Sequence, residues 1–280
     1  MQSVADAVNG VRIGEQITYR NLTIFPLFGS DLRNAGYITL DEALERKCSV
    51  VSEISDGGSV PELKFVNSGA LPVFLLDGEE LVGAKQNRIL NLSILAAAGK
   101  TLIIPVSCVE SGRWSHRTQH FASAPRAHYA EGRARKMAQV SASLRATGQR
   151  RSDQSAVWDD IREKSAKFCV SSETAAMSDI FEQESASLED YVRPFSFVEG
   201  QLGAVFAIGE RVAGFDLFDS SDTFRKLFPK LLRSYGLDAL DRARQEISQP
   251  NARCSPSKAH SFLERVGKAK IEEFPAVGEG

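Results

Sequence analysis

Hydrophobic positions in the first third of the chain recur with period two, or as short runs rich in β-branched residues bounded by Gly, Asn and Asp. That is the spacing of half-buried or fully buried strands. It predicts strands over 17–28, 48–54, 62–67, 72–76, 80–94 and 101–109. One helix interrupts them. Thr39 and Glu42 stand three apart ahead of Ala43 and Leu44, the spacing of a capping box in which the hydroxyl accepts from the Glu42 amide and the carboxylate reaches back. This helix should end before Cys48. Beyond Pro125 the period changes to that of helices, near 127–146, 154–168, 173–182 and 188–192. Strand signals return at 203–208 and 211–218, around Gly209 and Glu210, a Gly-first pair suited to a type II′ turn. Helices over 222–245, interrupted or kinked near Pro229 and Gly236, and over 257–266 complete the reading. Residues 278–280 are expected to fray.

Strands on both sides of a helical segment favour one α+β domain over two independent ones. The expected architecture is a mainly antiparallel β-sheet or sandwich core with a helical insertion and C-terminal helices. A single domain over 12–248 would comprise a strand-rich part (12–112), a helical insertion (127–193) and a hairpin plus helices (203–248). Residues 249–280 would add a C-terminal helix and tail.

Composition narrows the class. With 280 residues and 42% hydrophobic content, the chain can bury about 70–75% of its unfolded surface without disulfides or a structural metal. The most apolar stretch, 90–109, is broken by Asn91, Ser93, Gly99 and Lys100, so it falls short of the roughly 20 apolar residues of a spanning helix and membrane association is not expected. Residues 1–10 lack the pattern of a secretory signal. The four cysteines, Cys48, Cys108, Cys169 and Cys254, form no C-x-x-C pair, which points to buried thiols in a cytoplasmic protein.

The net charge of −2 conceals a local asymmetry. Residues 113–151 hold nine bases and one acid, a balance of +8, while 152–190 hold ten acids and three bases, a balance of −7. The blocks could pair as neighbouring helices, or the first could form a basic rim around an anionic ligand. A nucleic-acid interface over 113–151 is a third possibility that the overall pI of about 6.2 disfavours. His116, His120 and His128 lie in this basic block without carboxylates at ligand spacing, so no metal site is expected.

The densest polar cluster runs from Asp77 to Arg88 and contains Glu79, Glu80, Lys85, Gln86, Asn87 and Arg88, with Gly78 and Gly83 permitting tight backbone geometry. In one extended strand Glu80, Gln86 and Arg88 would share a face that continues into Leu90 and Leu92, and so would point inward. A solvated edge strand carrying ion pairs accounts for the same residues. A second cluster ends an apolar strand: Glu110, Arg113 and Trp114. Arg113 offers a bidentate fork to carboxylate or phosphate, and Trp114 a face to a base or sugar. A core Trp beside a surface salt bridge is the competing account. Cys108 reads as a small core residue. Gly99, Lys100 and Thr101 imitate the end of a P-loop, but its first glycine would fall at Ile94. Neither a dinucleotide-binding glycine motif nor a nucleophile elbow is present.

Three runs, Leu75 to Arg88, Ile104 to Trp114 and Ser152 to Trp158, resemble the signatures of the ARG and rhodanese-phosphatase-superfamily-associated protein domain family. Gly214 to Phe218 and the Leu-rich helix after it are similar to the family's closing segment. The resemblance spans roughly 17–244. It implies a part in pathways that use NAD and process ADP-ribose derivatives, with ADP-ribosylglycohydrolase-type enzymes as partners. It also adds Gln154 and Trp158 to the site residues. On this basis Arg88, Arg113 and Lys85 would hold the phosphates of a small anionic nucleotide, with Trp114 stacking on base or ribose. Glu80 would be the general acid or base and Glu110 the second carboxylate for a glycosidic or phosphoester bond. A non-catalytic sensing or adaptor module is the alternative. No cofactor is identified.

Overall fold

The computed structural model of the chain describes residues 4–31, 35–55, 57–245 and 253–279. In chain order its elements begin with α1 (Val4–Asn9), β1 (Arg12–Ile13), β2 (Ile17–Tyr19), β3 (Leu22–Phe28), β4 (Ile38–Thr39), α2 (Leu40–Glu45), β5 (Ser49–Ser52) and β6 (Glu62–Asn67). They continue with β7 (Val73–Leu75), β8 (Glu79–Gly83), β9 (Arg88–Leu90), β10 (Ile94–Ala96), β11 (Thr101–Cys108) and β12 (Phe121–Ala127). Four helices follow, α3 (Ala130–Thr147), α4 (Gln154–Lys167), α5 (Met177–Gln183) and α6 (Ser185–Val192). The last are β13 (Gln201–Ile208), β14 (Arg211–Leu217), α7 (Ser221–Gln245) and α8 (Pro256–Gly267). The class is α+β with mainly antiparallel sheets, as the periodicity implies; β4 with β7 is a parallel pair. No described helix is long and apolar enough to cross a membrane.

The chain divides into two compact units, residues 1–35 with 186–273 and residues 36–185 with 274–280. In the first, the strand order is β1-β3-β13-β14, with β2 also paired to β3. All eight residues of β13 are buried, which requires cover on both faces. Phe206 stacks on Tyr235 of α7 on one side, while Val205 and Ala207 join Phe25, Leu27, Ala259 and Leu263 on the other. This cover explains why α7 runs unbroken through Pro229 and Gly236, where the sequence suggested an interruption. Leu227, Phe228, Leu231 and Leu232 are all buried and offset the roughly 3 kcal/mol that an interior proline costs. Gly209 turns the β13–β14 hairpin at φ 58.

In the second unit six strands close into a barrel in the order β11-β6-β5-β12-β8-β9. Closure leaves no exposed sheet edge. Val51, Leu63, Phe65, Leu81, Leu90, Ile104, Val106 and Phe121 fill the interior, and the core continues into the small sheet β10-β7-β4. The Thr39–Glu42 capping box forms as the sequence indicates.

Three expectations need correction here. The stretch 80–94 is not one strand: positive φ at Gly83 (125) and Ala84 (37) turns the chain back, so that β8 and β9 pair antiparallel and β10 joins another sheet. β12 lies where no strand was expected, because Pro125 and a register shift between Ser123 and Ala127 interrupt its alternation. The last residues do not fray through 279: the Glu279 amide donates to the Leu95 carbonyl. Gly280, and residues 249–252 of the expected tail, lie outside the described residues.

Candidate functional site at one end of the barrel

Strand register decides which polar residues enter the barrel. Arg88 pairs with Leu81 on one side and Cys108 on the other. Directly opposed residues share a face, so Arg88 and Cys108 point inward with Leu81. Glu80 pairs with Ile89 and points outward. Glu53 follows β5 two residues after inward-facing Val51, which brings its side chain to the same barrel end. Three connections meet there, β5–β6, β8–β9 and β11–β12, and they carry Glu53 and Gly58, Lys85 to Asn87, and Glu110 to Trp114 respectively.

Inside this mouth Arg88 is wholly buried. Its Nη1 donates to Gln86 Oε1 at 2.8 Å, while Nε and Nη2 have no hydrogen-bond partner among the described residues. Trp114, 47% exposed, forms the roof, with its ring 5.6 Å from the Arg88 guanidinium carbon and 5.3 Å from Lys85 Nζ. Glu53, 8% exposed, accepts weakly from the Lys85 amide through Oε1 at 3.4 Å, and its Oε2 has no partner among the described residues. Gly58, at φ 76, brings its backbone against Lys85, Trp114 and Glu53. Burial lowers the Arg88 pKa, opposed by the neighbouring Cys108 and Glu53. Burial also pushes the Cys108 thiol up to about 11, despite Arg88 beside it. Cys108 is thus a neutral thiol near neutral pH, not an activated nucleophile.

The wall of the same end holds a second network. Glu110, fully buried, accepts from Arg113 Nε at 2.8 Å and Nη2 at 2.6 Å, from the Asn87 amide at 3.0 Å and from the Thr174 hydroxyl at 2.9 Å. Burial alone would raise its pKa, but these donors hold it below the usual carboxylate range. Arg113 also donates to the carbonyls of Ala84 and Ser115 and to Asn87 Oδ1. Its fork is occupied by the protein itself. Asn87 links this network to Glu80 through Nδ2 at 3.5 Å, and Glu80 pairs with Arg126. Burial raises the Glu80 pKa, opposed by Arg126.

Lys85, Gln86, Arg88 and Trp114 therefore meet at the mouth, while Glu80, Asn87, Glu110 and Arg113 form the adjoining wall. The face shared by Glu80, Gln86 and Arg88 in the sequence reading does not exist, because the turn at Gly83 and Ala84 separates Glu80 from the other two. Glu79 lies at the far end of β8, where the Leu76 amide and the Ser123 hydroxyl donate to it. Gln154 grips the backbone of Cys108 through its side-chain amide, Oε1 accepting from the Cys108 N–H and Nε2 donating to the Cys108 carbonyl, each at 2.8 Å. Half-buried Trp158 lies one turn further along α4. Sequence reasoning overlooked Glu53, Arg126 and Thr174. Of these only Glu53 carries a signal, a carboxylate in phase with an inward-facing valine.

The basic block is largely consumed within this unit. Arg113 and Arg126 serve Glu110 and Glu80, Arg133 and Lys136 face Asp77, and Arg135 bridges from α3 to Asp160 of α4. Among the described residues no cluster of three or more His, Cys, Asp or Glu is arranged to hold a metal ion.

A family model described as the ARG and Rhodanese-Phosphatase-superfamily-associated Protein domain matches residues 10–280. No curated protein and no solved structure matches the chain.

Proposed function

Since the chain belongs to the ARG and Rhodanese-Phosphatase-superfamily-associated Protein domain family, we propose that the barrel mouth binds ADP-ribose or a related NAD-derived nucleotide. The family's description associates it with ADP-ribosylglycohydrolases, which is consistent with ligands of that chemistry. The observation that carries the reading is the edge of Arg88 formed by Nε and Nη2, wholly buried and without a partner among the described residues. Those two donors are parallel and match two oxygens of one oxyanion. Trp114 roofs the same residue and supplies a ring on which a base or ribose stacks.

Roles follow from what each group already holds. Arg88 takes the phosphate, Lys85 flanks it and Trp114 stacks. Arg113, Glu110 and Asn87 set the shape of the mouth. Glu80 faces away from the interior, so the function proposed is ligand recognition. Calorimetric titration with ADP-ribose, NAD and ADP tests it: at least one should bind, and Trp114→Ala should weaken that binding by about tenfold or more. Absence of binding by all three at millimolar concentration would overturn the reading.

A further inference from the structure

Two buried groups of opposite charge share the barrel mouth without meeting. Arg88 and Glu53 influence each other electrostatically, yet no ion pair joins them, and among the described residues each retains unused hydrogen-bonding atoms: Nε and Nη2 of Arg88, and Oε2 of Glu53. Leaving such atoms unmade in a buried place costs roughly 1–3 kcal/mol each, and more when charged. A core selected for stability alone would have closed this gap.

The two sets of atoms ask for different things. The Arg88 edge asks for two acceptor oxygens on one centre, and Glu53 Oε2 asks for a donor. A bare oxyanion beside Arg88 would satisfy the first and be repelled by the second. A ligand that carries hydroxyls next to its oxyanion satisfies both.

We propose that Arg88 and Glu53 form a recognition pair for a phosphorylated sugar, Arg88 receiving the phosphate and Glu53 accepting a hydrogen bond from a sugar hydroxyl. The inference rests on the ligand reading above and assigns Glu53 as the residue that separates sugar phosphates from other phosphates. The Trp114 ring covers Arg88, so the ligand enters by displacing or stacking under it, and Trp114 emission reports the event. Trp114 and Trp158 are the chain's two tryptophans, so the signal is assigned to Trp114 by its loss in Trp114→Phe under conditions where calorimetry still registers binding.

The test uses the full chain with ribose 5-phosphate, methyl phosphate and sulfate, read by calorimetry and by Trp114 emission. The wild type should bind ribose 5-phosphate about tenfold or more tighter than methyl phosphate, which has the phosphoester but no hydroxyl. This comparison needs no variant and so does not depend on one folding. Glu53→Gln should then weaken ribose 5-phosphate and tighten sulfate, which has no hydroxyl to donate, because it removes both the charged acceptor and the repulsion. Equal wild-type affinities for ribose 5-phosphate and methyl phosphate would overturn the proposal. So would a Glu53→Gln variant in which both ligands move in the same direction, or the absence of ribose 5-phosphate binding at millimolar concentration. Nucleotide binding that depends on Arg88 but ignores Glu53 would remove this inference and leave the nucleotide reading intact. Ribose 5-phosphate selection without any nucleotide binding would do the reverse.

Discussion

Arg88 is the residue on which stability and the proposed function pull apart. A buried guanidinium with an unfilled edge lowers stability, whereas a structural arginine would have its donors filled. Replacing Arg88 with Met should therefore leave denaturant stability unchanged or raise it by about 1–3 kcal/mol; a clear loss would show that Arg88 supports the fold. Glu110 gives the opposite case. Glu110→Gln leaves Arg113 buried without its counter-charge and should cost about 3–5 kcal/mol in denaturant unfolding. Because the folded-state pKa of Glu110 is depressed, its contribution is fully present above the ordinary carboxylate range and is lost as pH falls through the lowered value. The acid limb of the wild-type stability curve should flatten in Glu110→Gln. Cys108, a thiol raised to about 11, should resist alkylation near neutral pH while exposed Cys169 reacts. At this scale the sequence named most of the polar residues but not their duties. Arg113 looked like a phosphate fork and is spent on Glu110 and backbone carbonyls, a fact that depends on what the β11–β12 connection folds against.

The element that organises the mouth is the β8–β9 hairpin. Its turn depends on Gly83, where an added Cβ would meet Thr118 Oγ1 at 2.4 Å and the His120 carbonyl at 3.0 Å, at a φ that L side chains rarely adopt. Gly83→Ala should cost about 1–3 kcal/mol and weaken ligand binding by displacing Lys85 to Arg88. Unchanged melting and binding would contradict this. A second device ties α3 to the barrel: wholly buried Lys136 pairs with Asp77 and donates to the Leu90 carbonyl at 2.6 Å. Lys136→Met should cost about 3–5 kcal/mol, and adding Asp77→Asn should recover part of it. Strict additivity in that cycle would show that the pair is not coupled. Periodicity located the helices and the β13–β14 hairpin well because each has one unambiguous period. It joined β8 to β9 because a turn made by Gly83 and a strained alanine has no compositional mark beyond one glycine. It missed β12 because a bulge destroys alternation.

For the whole molecule, the antiparallel α+β class follows from local pattern, whereas barrel closure does not. Closure is a set of pairings between distant segments, β9 with β11 and β12 with β5 and β8, and no local window contains it. Yet closure is what makes the mouth, because it gathers three connections at one end and turns Arg88 and Glu53 into the same interior. The charge blocks resolve at this scale too. Much of the basic surplus serves buried carboxylates and the α3–α4 pairing. Calorimetry of ADP-ribose against wild type and Arg88→Met decides whether the unfilled Arg88 edge holds a ligand. The wild type should bind, the variant should lose at least about tenfold in affinity, and the variant should be no less stable than its parent. Equal binding by both proteins, or no binding by the wild type at millimolar concentration, would contradict it.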